Sequence, residues 1–284
     1  MTSWLRHTLL IGATLLATLF VASCAQPDVI MPTEPEESEY IDVTICPSFD
    51  NGGATRVGKG LSIDKLFVEV YLDDDYKVGE RLEYSVQSGV VEKISLQLIN
   101  EQRYTIVFWA QNSSCNAYDI TDLSDIVVDY TRSASFADVD KRDAFYSAIS
   151  FTVTSQTAQQ RVKLYRPFAL LTVGTAVTNY NSTVAGQSSA LEITNVATHF
   201  NAFTGTATTP ETQSLSFDID GTTIEEHSDY VMVGIAYLLP ADDKSVDCTI
   251  TTNANGTQSV KSITLPNIVA NKHYKLLGTE LIKY

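Results

Sequence analysis

The chain has 284 residues, 44% of them hydrophobic and 10% aromatic, with 19 Lys and Arg against 34 Asp and Glu. A net charge of −15 gives no electrostatic route to nucleic acid, whose affinity comes largely from phosphate neutralisation, so nucleic-acid binding is excluded. Such acidity instead favours solubility and mutual repulsion of monomers.

Residues 1–23 read as a lipoprotein signal peptide. Arg6 and His7 supply a short polar start, and Leu9 to Ala22 forms an apolar stretch of about fifteen residues. That suits a signal core and is short of the roughly twenty needed to cross a bilayer. The stretch ends in Val21-Ala22-Ser23-Cys24, which looks like a bacterial lipobox: small residues fit the signal peptidase, and the Cys24 thiol accepts the lipid. An ordinary secretory signal with an incidental cysteine is the alternative. Residues 24–39 are rich in Pro and acid (Pro27, Asp28, Pro32, Glu34, Pro35, Glu36, Glu37, Glu39), too apolar-poor to offset ordering entropy, and are expected to form a flexible tether. The best later apolar run, Tyr230 to Leu239, is only strand-sized, so the expectation is a protein anchored to the membrane rather than embedded in it.

From Tyr40 onward the apolar period is two. Ile41/Val43/Ile45, Leu66/Val68/Val70/Leu72 and Ile94/Leu96/Leu98 alternate with polar neighbours. So do Val162/Leu164, Leu191/Ile193, Leu215/Phe217/Ile219, Val246/Cys248/Ile250 and Val260/Ile263/Leu265. These predict half-buried strands. Tyr104–Ala110 and Tyr230–Leu239 are apolar on both faces and predict central strands, one in each half. A short helix is expected over Asp138–Ala148, capped by Asp138 or Asp140. Asp73-Asp74-Asp75 and Asn51-Gly52-Gly53 mark turns, and Asp220-Gly221 and Asn255-Gly256 read as type I′ hairpin turns.

The length after residue 39 exceeds the roughly 100 residues of one sandwich, so two β-domains are expected, residues 40–166 and 167–284. The boundary is placed near Arg166-Pro167, because a proline lacks a donor and would begin a new edge strand.

Chemical motifs are sparse. Cys46, Cys115 and Cys248 cannot all pair; a Cys46–Cys115 bridge is conceivable, with small buried hydrophobes as the preferred reading. Gly53 to Lys59 has phosphate-loop spacing, but Gly60 stands where Ser or Thr is required and a strand follows, so a plain loop is read. Asp218-Ile219-Asp220-Gly221 resembles the start of a calcium loop, yet its glycine comes early and Asp229 occupies the closing position; a turn is favoured. His199, His227 and His273 fall in no H-E-x-x-H motif, G-x-S-x-G is absent, and Glu225-Glu226-His227 reads as a polar loop. The expectation is no enzyme, no catalytic residues, no cofactor and no metal.

Several ordered segments carry a resemblance. They are Tyr104 to Gln111, Arg142-Asp143-Ala144-Phe145-Tyr146, Leu164-Tyr165-Arg166-Pro167-Phe168-Ala169, Tyr237-Leu238-Leu239-Pro240 and Asn267 to Tyr274. With the lipobox, they make residues 40–284 resemble the fimbrillin-like lipoproteins of Bacteroidales, the group of major and minor fimbrial subunits. The resemblance implies an all-β chain of two tandem transthyretin-like (Greek-key) β-sandwich domains, anchored in the outer membrane. It implies a surface-exposed fimbrial subunit or accessory protein with a role in adhesion, whose partners are other fimbrial subunits joined by strand exchange. It also implies proteolytic processing after the first strand, with Arg56 as the matching position and an uncut surface arginine as the alternative. The C-terminal run Tyr274 to Ile282 then reads either as a donated strand or as a last strand in place. A non-polymerising surface lipoprotein that binds a glycan or host ligand is the competing function.

Overall fold

The computed structural model describes residues 39–50, 62–74, 76–131, 136, 138–241 and 245–284. Cys24, nearly all of the tether, Arg56 and the Gly53–Lys59 loop lie outside the described residues. Residues 39–284 hold together as one compact body.

In chain order its strands are β1 (Tyr40–Phe49), β2 (Lys65–Leu72), β3 (Tyr76–Lys77), β4 (Leu82–Gln87), β5 (Val90–Val91), β6 (Ile94–Ile99), β7 (Arg103–Gln111), β8 (Tyr118–Asp119), β9 (Ile126–Val128), β10 (Ala144–Thr152) and β11 (Gln159–Leu164). There follow β12 (Ala169–Ala176), β13 (Ser188–Asn201), β14 (Thr206–Asp218), β15 (Thr223–Ile224), β16 (His227–Leu238), β17 (Val246–Ala254), β18 (Thr257–Leu265) and β19 (His273–Gly278). Two short 3-10 turns complete the elements, and no α-helix occurs among the described residues. The all-β reading holds.

Four sheets form. In the first half, β11-β1-β6 faces β10-β7-β2-β4-β5, with β3 added to β2. Val43, Ile45, Ile94, Leu96 and Val162 from the smaller sheet meet Leu66, Val68, Ile106, Phe108 and Phe145 from the larger one. Alternation produces this directly, since every second side chain of a strand points to the same face. In the second half, β15-β16-β12-β19 faces β18-β17-β13-β9-β8, with β14 added to β13. Leu171, Val173, Val231 and Val233 pack there against Leu191, Ile193, Leu215 and Cys248. Each fully buried aliphatic or aromatic side chain contributes roughly 1.5–3 kcal/mol.

The doubly apolar run in β7 has a specific explanation. Its even-numbered residues serve the first core, while Val107 and Trp109 belong to the second. Residues 112–130 fold back over that second face, and β9 pairs antiparallel with β13 through Val127↔His199 and Ile126↔Phe200. Segments from before Arg166 therefore complete a sheet formed mainly after it.

Four local expectations are corrected. Asp138–Ala148 is not a helix: Val139–Arg142 makes one 3-10 turn, Asp138 makes no side-chain cap, and Ala144 onward is β10. The reason is period two in Phe145, Ile149 and Phe151, which face the first core while nine residues pair with β7. Pro167 does not open an edge strand, because β12 begins at Ala169 and lies between β16 and β19. Asp220-Gly221 is not a type I′ turn: Gly221 alone has positive φ (86°), Asp220 Oδ1 accepts Thr222 N at 2.9 Å, and β14 and β15 pair with other strands. Val260 and Ile263 are not core residues but lie 54% and 42% exposed on edge strand β18. By contrast, Asn255 and Gly256 both take positive φ (49° and 76°) and close the β17–β18 hairpin as type I′ geometry requires.

Candidate assembly site

The chain begins its described part with the central strand of a sheet. Thr44 to Phe49 of β1 run parallel to Gln159–Leu164 of β11, and Tyr40 to Ile45 run antiparallel to Ile99–Ile94 of β6. Six residue pairs thus form on each side. Inward, Val43 and Ile45 are fully buried, while Ile41 and Phe49 pack on the core more openly. The Phe49 ring meets the edge of Phe145 at a centroid distance of 4.9 Å. Outward, Asp42 accepts Gln97 Nε2 at 3.2 Å, and Ser48 Oγ donates to Val162 O at 3.2 Å. Without β1, strands β6 and β11 would each present an unpaired edge over an open core.

Three of the five segments that carry the resemblance converge at one point. Asp143 and Arg166 are 1% and 3% exposed, and Arg166 donates Nε to Oδ1 at 2.5 Å and Nη2 to Oδ2 at 2.7 Å. Its remaining nitrogen, Nη1, donates to Asn271 Oδ1 at 2.6 Å, and the guanidinium lies 4.5 Å above the Phe145 ring centroid. Burial holds the Asp143 carboxyl above its ordinary value, although the Arg166 guanidinium beside it acts the other way. Asn271 takes φ +60° and donates its backbone N–H to Phe168 O at 2.7 Å. Residues from three separate segments are fixed to each other by one guanidinium, which no periodicity could indicate.

The C-terminal run is a strand in place. Residues His273–Gly278 of β19 pair parallel with Leu170–Thr175 of β12 at the sheet edge. Beyond it Leu281 and Ile282 are buried, and Leu281 N donates to Thr175 Oγ1 at 3.3 Å. The Tyr284 hydroxyl accepts Asn181 N at 2.5 Å and donates to Gln187 Oε1 at 2.8 Å.

His273 sits at the start of β19, its Nε2 2.9 Å from Thr172 Oγ1. Burial, and then the nearby Lys275 charge, push its pKa down to about 4, with Glu226 opposing and His227 assisting. The folded state therefore prefers neutral imidazole, whereas an unfolded histidine titrates near 6.5. Between these values the unfolded chain binds the extra proton, so this contribution is complete above pH ~6.5 and is lost as pH falls toward about 4. Thermal melts should show wild type losing more stability over that window than His273→Asn; equal losses would remove His273 as the cause.

Cys46, Cys115 and Cys248 are all free, so no Cys46–Cys115 bridge forms. Burial raises the Cys115 thiol and pushes Cys248 up to about 11, which disfavours the thiolate at both. Among the described residues no group of three or more His, Cys, Asp or Glu is placed to hold a metal ion. No described helix is long and apolar enough to cross a membrane.

Solved structures share this fold. A proposed polysaccharide-binding protein from Bacteroides thetaiotaomicron aligns at a TM-score of 0.53 and 11% identity, covering 84% of this chain and 90% of its own. A proposed adhesin from Bacteroides ovatus gives 0.53 and 11%, covering 84% and 89%. Another proposed adhesin from Bacteroides thetaiotaomicron gives 0.51 and 12%, covering 81% and 82%. None of the curated proteins matches the sequence. A family model matches residues 35–279.

Proposed function

The chain belongs to the family which that model defines, the family of unknown function DUF6562, and on this footing we propose that it is a surface-anchored subunit or accessory protein of a fimbria that assembles by β-strand donation and serves adhesion. The carrying observation is the position of β1: the central strand of its sheet, joined on its C-terminal side to the rest of the body only through residues 51–61. A cut after Arg56, in that connection, would leave β1 held by non-covalent contacts alone. A second subunit's strand could then take the slot between β6 and β11. Backbone hydrogen bonds at about 1 kcal/mol each, and buried side chains at roughly 2 kcal/mol each, give a gross gain on the order of 15 kcal/mol before ordering costs. That is ample for a polymer that does not fall apart. The fold shared with proposed adhesins supports the surface role, and the lipid on Cys24 would supply the anchor.

Extraction from cells followed by electrophoresis without boiling tests this reading. Detergent-resistant ladders are expected, with polymerised subunits beginning at Val57, and Arg56→Ala should leave only monomer. Protein that is always monomeric and begins at Cys24 would end the strand-donation mechanism.

A further inference from the structure

A second feature lies on the outer face of β2, away from the β1 slot. Glu69 and Tyr71 of β2, Asp74 in the following turn, Lys77 of β3, Thr121, Asp122 and Ser124 between β8 and β9, and Phe203 after β13 line a cleft of about 450 Å³. This falls within the range of small-ligand sites, roughly 300–1,000 Å³.

The floor is prepared in advance. Glu69 is buried, and its carboxylate accepts three donors: Tyr71 OH at 2.5 Å, Lys77 Nζ at 2.7 Å and Arg81 Nε at 2.7 Å. Burial alone would raise the Glu69 carboxyl, yet these donors outweigh it and hold the group below its ordinary value. Arg81 also donates Nη2 to Thr121 O at 3.1 Å, which ties the β8–β9 loop to the same anchor. The Tyr71 hydroxyl is thereby fixed, and its ring meets Phe203 edge-on at 4.5 Å, so two partly exposed aromatic rings are set rigidly in the floor. At the rim Asp122 is exposed, its Oδ1 accepting Ser124 N and Oγ at 2.7 Å each. Asp74 accepts the Thr105 hydroxyl and lies 3.5 Å from Arg103.

Charge narrows the ligand class. Glu69, Asp74 and Asp122 are balanced by Lys77, Arg81 and Arg103, so the cleft is near neutral on a chain of net charge −15. A metal ion would need free carboxylates, and Glu69 is already saturated; an anion would meet Asp74 and Asp122 at the rim. Carboxylate and hydroxyl oxygens that accept hydrogen bonds beside aromatic faces that take up C–H groups match a neutral sugar, which presents both.

From this geometry we infer that the cleft between β2, the β8–β9 loop and Phe203 binds a neutral carbohydrate, with Tyr71 and Phe203 as the platform and Asp122 as a hydrogen-bond acceptor. The assignment goes beyond strand donation and does not require it, since every lining residue lies in one subunit. The purified, unpolymerised protein should bind neutral hexose oligosaccharides on a printed glycan array, with affinity then measured by calorimetry using the best of them. Tyr71→Ala and Asp122→Asn should each weaken binding at least tenfold, while Tyr165→Ala, at an exposed tyrosine elsewhere, should not change it. Tyr71→Phe keeps the ring and controls for folding; it should retain most of the affinity. Absence of binding to any neutral glycan, binding indifferent to Tyr71→Ala and Asp122→Asn, or binding only of anionic glycans that salt abolishes would each overturn the assignment. None of these outcomes bears on the ladders that test strand donation.

Discussion

Arg166→Ala is expected to lower the free energy of unfolding by about 3–5 kcal/mol, because it strands a buried carboxylate without its cation. Asp143 is almost wholly enclosed and takes both of its strong hydrogen bonds from this one side chain. The same substitution frees Asn271 Oδ1 and strips the guanidinium from the face of Phe145. Arg166→Lys should recover little, since an ammonium cannot reproduce the two-pronged contact. The double change Arg166→Met with Asp143→Leu should recover most of the loss, because burying two apolar groups removes the desolvation cost that the ion pair had to meet. Urea unfolding of the four proteins, read as midpoint shifts at constant slope, decides the matter. A single alanine variant as stable as wild type would show that the pair is not the tie between its three segments.

Much of this architecture could be read from alternation. Val43/Ile45, Leu66/Val68 and Leu191/Ile193 are buried as period two requires, and the residues of β7 and β16 line two faces. The failures have physical causes. Ala144–Thr152 begins after acidic and basic residues that mimic a helix start, but strand pairing with β7 outweighs that local signal. Val260 and Ile263 stand three apart and so point to opposite faces of β18, and on this edge strand both are left partly exposed while Leu265 is buried. All three strands β1, β6 and β11 were legible from alternation, but that β1 pairs with the other two was not, because its partners lie up to 115 residues away, as in the register Ile45↔Gln160. The sugar cleft was invisible. Its anchor, Glu69, sits in a run that reads only as alternating, and Arg81, Asp122 and Phe203 join it from distant turns. The one signal on offer was an acid, Glu69, standing between Phe67 and Tyr71 on the same face of a strand.

The second large effect is expected at Trp109. Trp109→Ala should cost about 3–5 kcal/mol, the usual range for removing a buried aromatic. The side chain is fully enclosed, its ring standing edge-on to Tyr118 at 5.7 Å and tilted against Phe200 at 6.0 Å. Its Nε1 donates to Gln111 Oε1 at 2.7 Å, so alanine also leaves a buried acceptor unpaired. Trp109→Phe keeps more of the packing but not the donor and should fall between. The location of the damage is the stronger test. Trp109 stands on β7, which belongs to the first half, but it packs on β8 and β13, which the second half's sheet contains. Hydrogen exchange should therefore quicken first in residues 118–130 and around Phe200, ahead of β1 and β6. Should the β1–β6 pairing open first, or the loss stay under about 1 kcal/mol, Trp109 would be filling space rather than joining the two sheet pairs. If the expected order is seen, the double apolarity of the β7 run is explained: one face closes its own core and the other holds the neighbouring sheet to it.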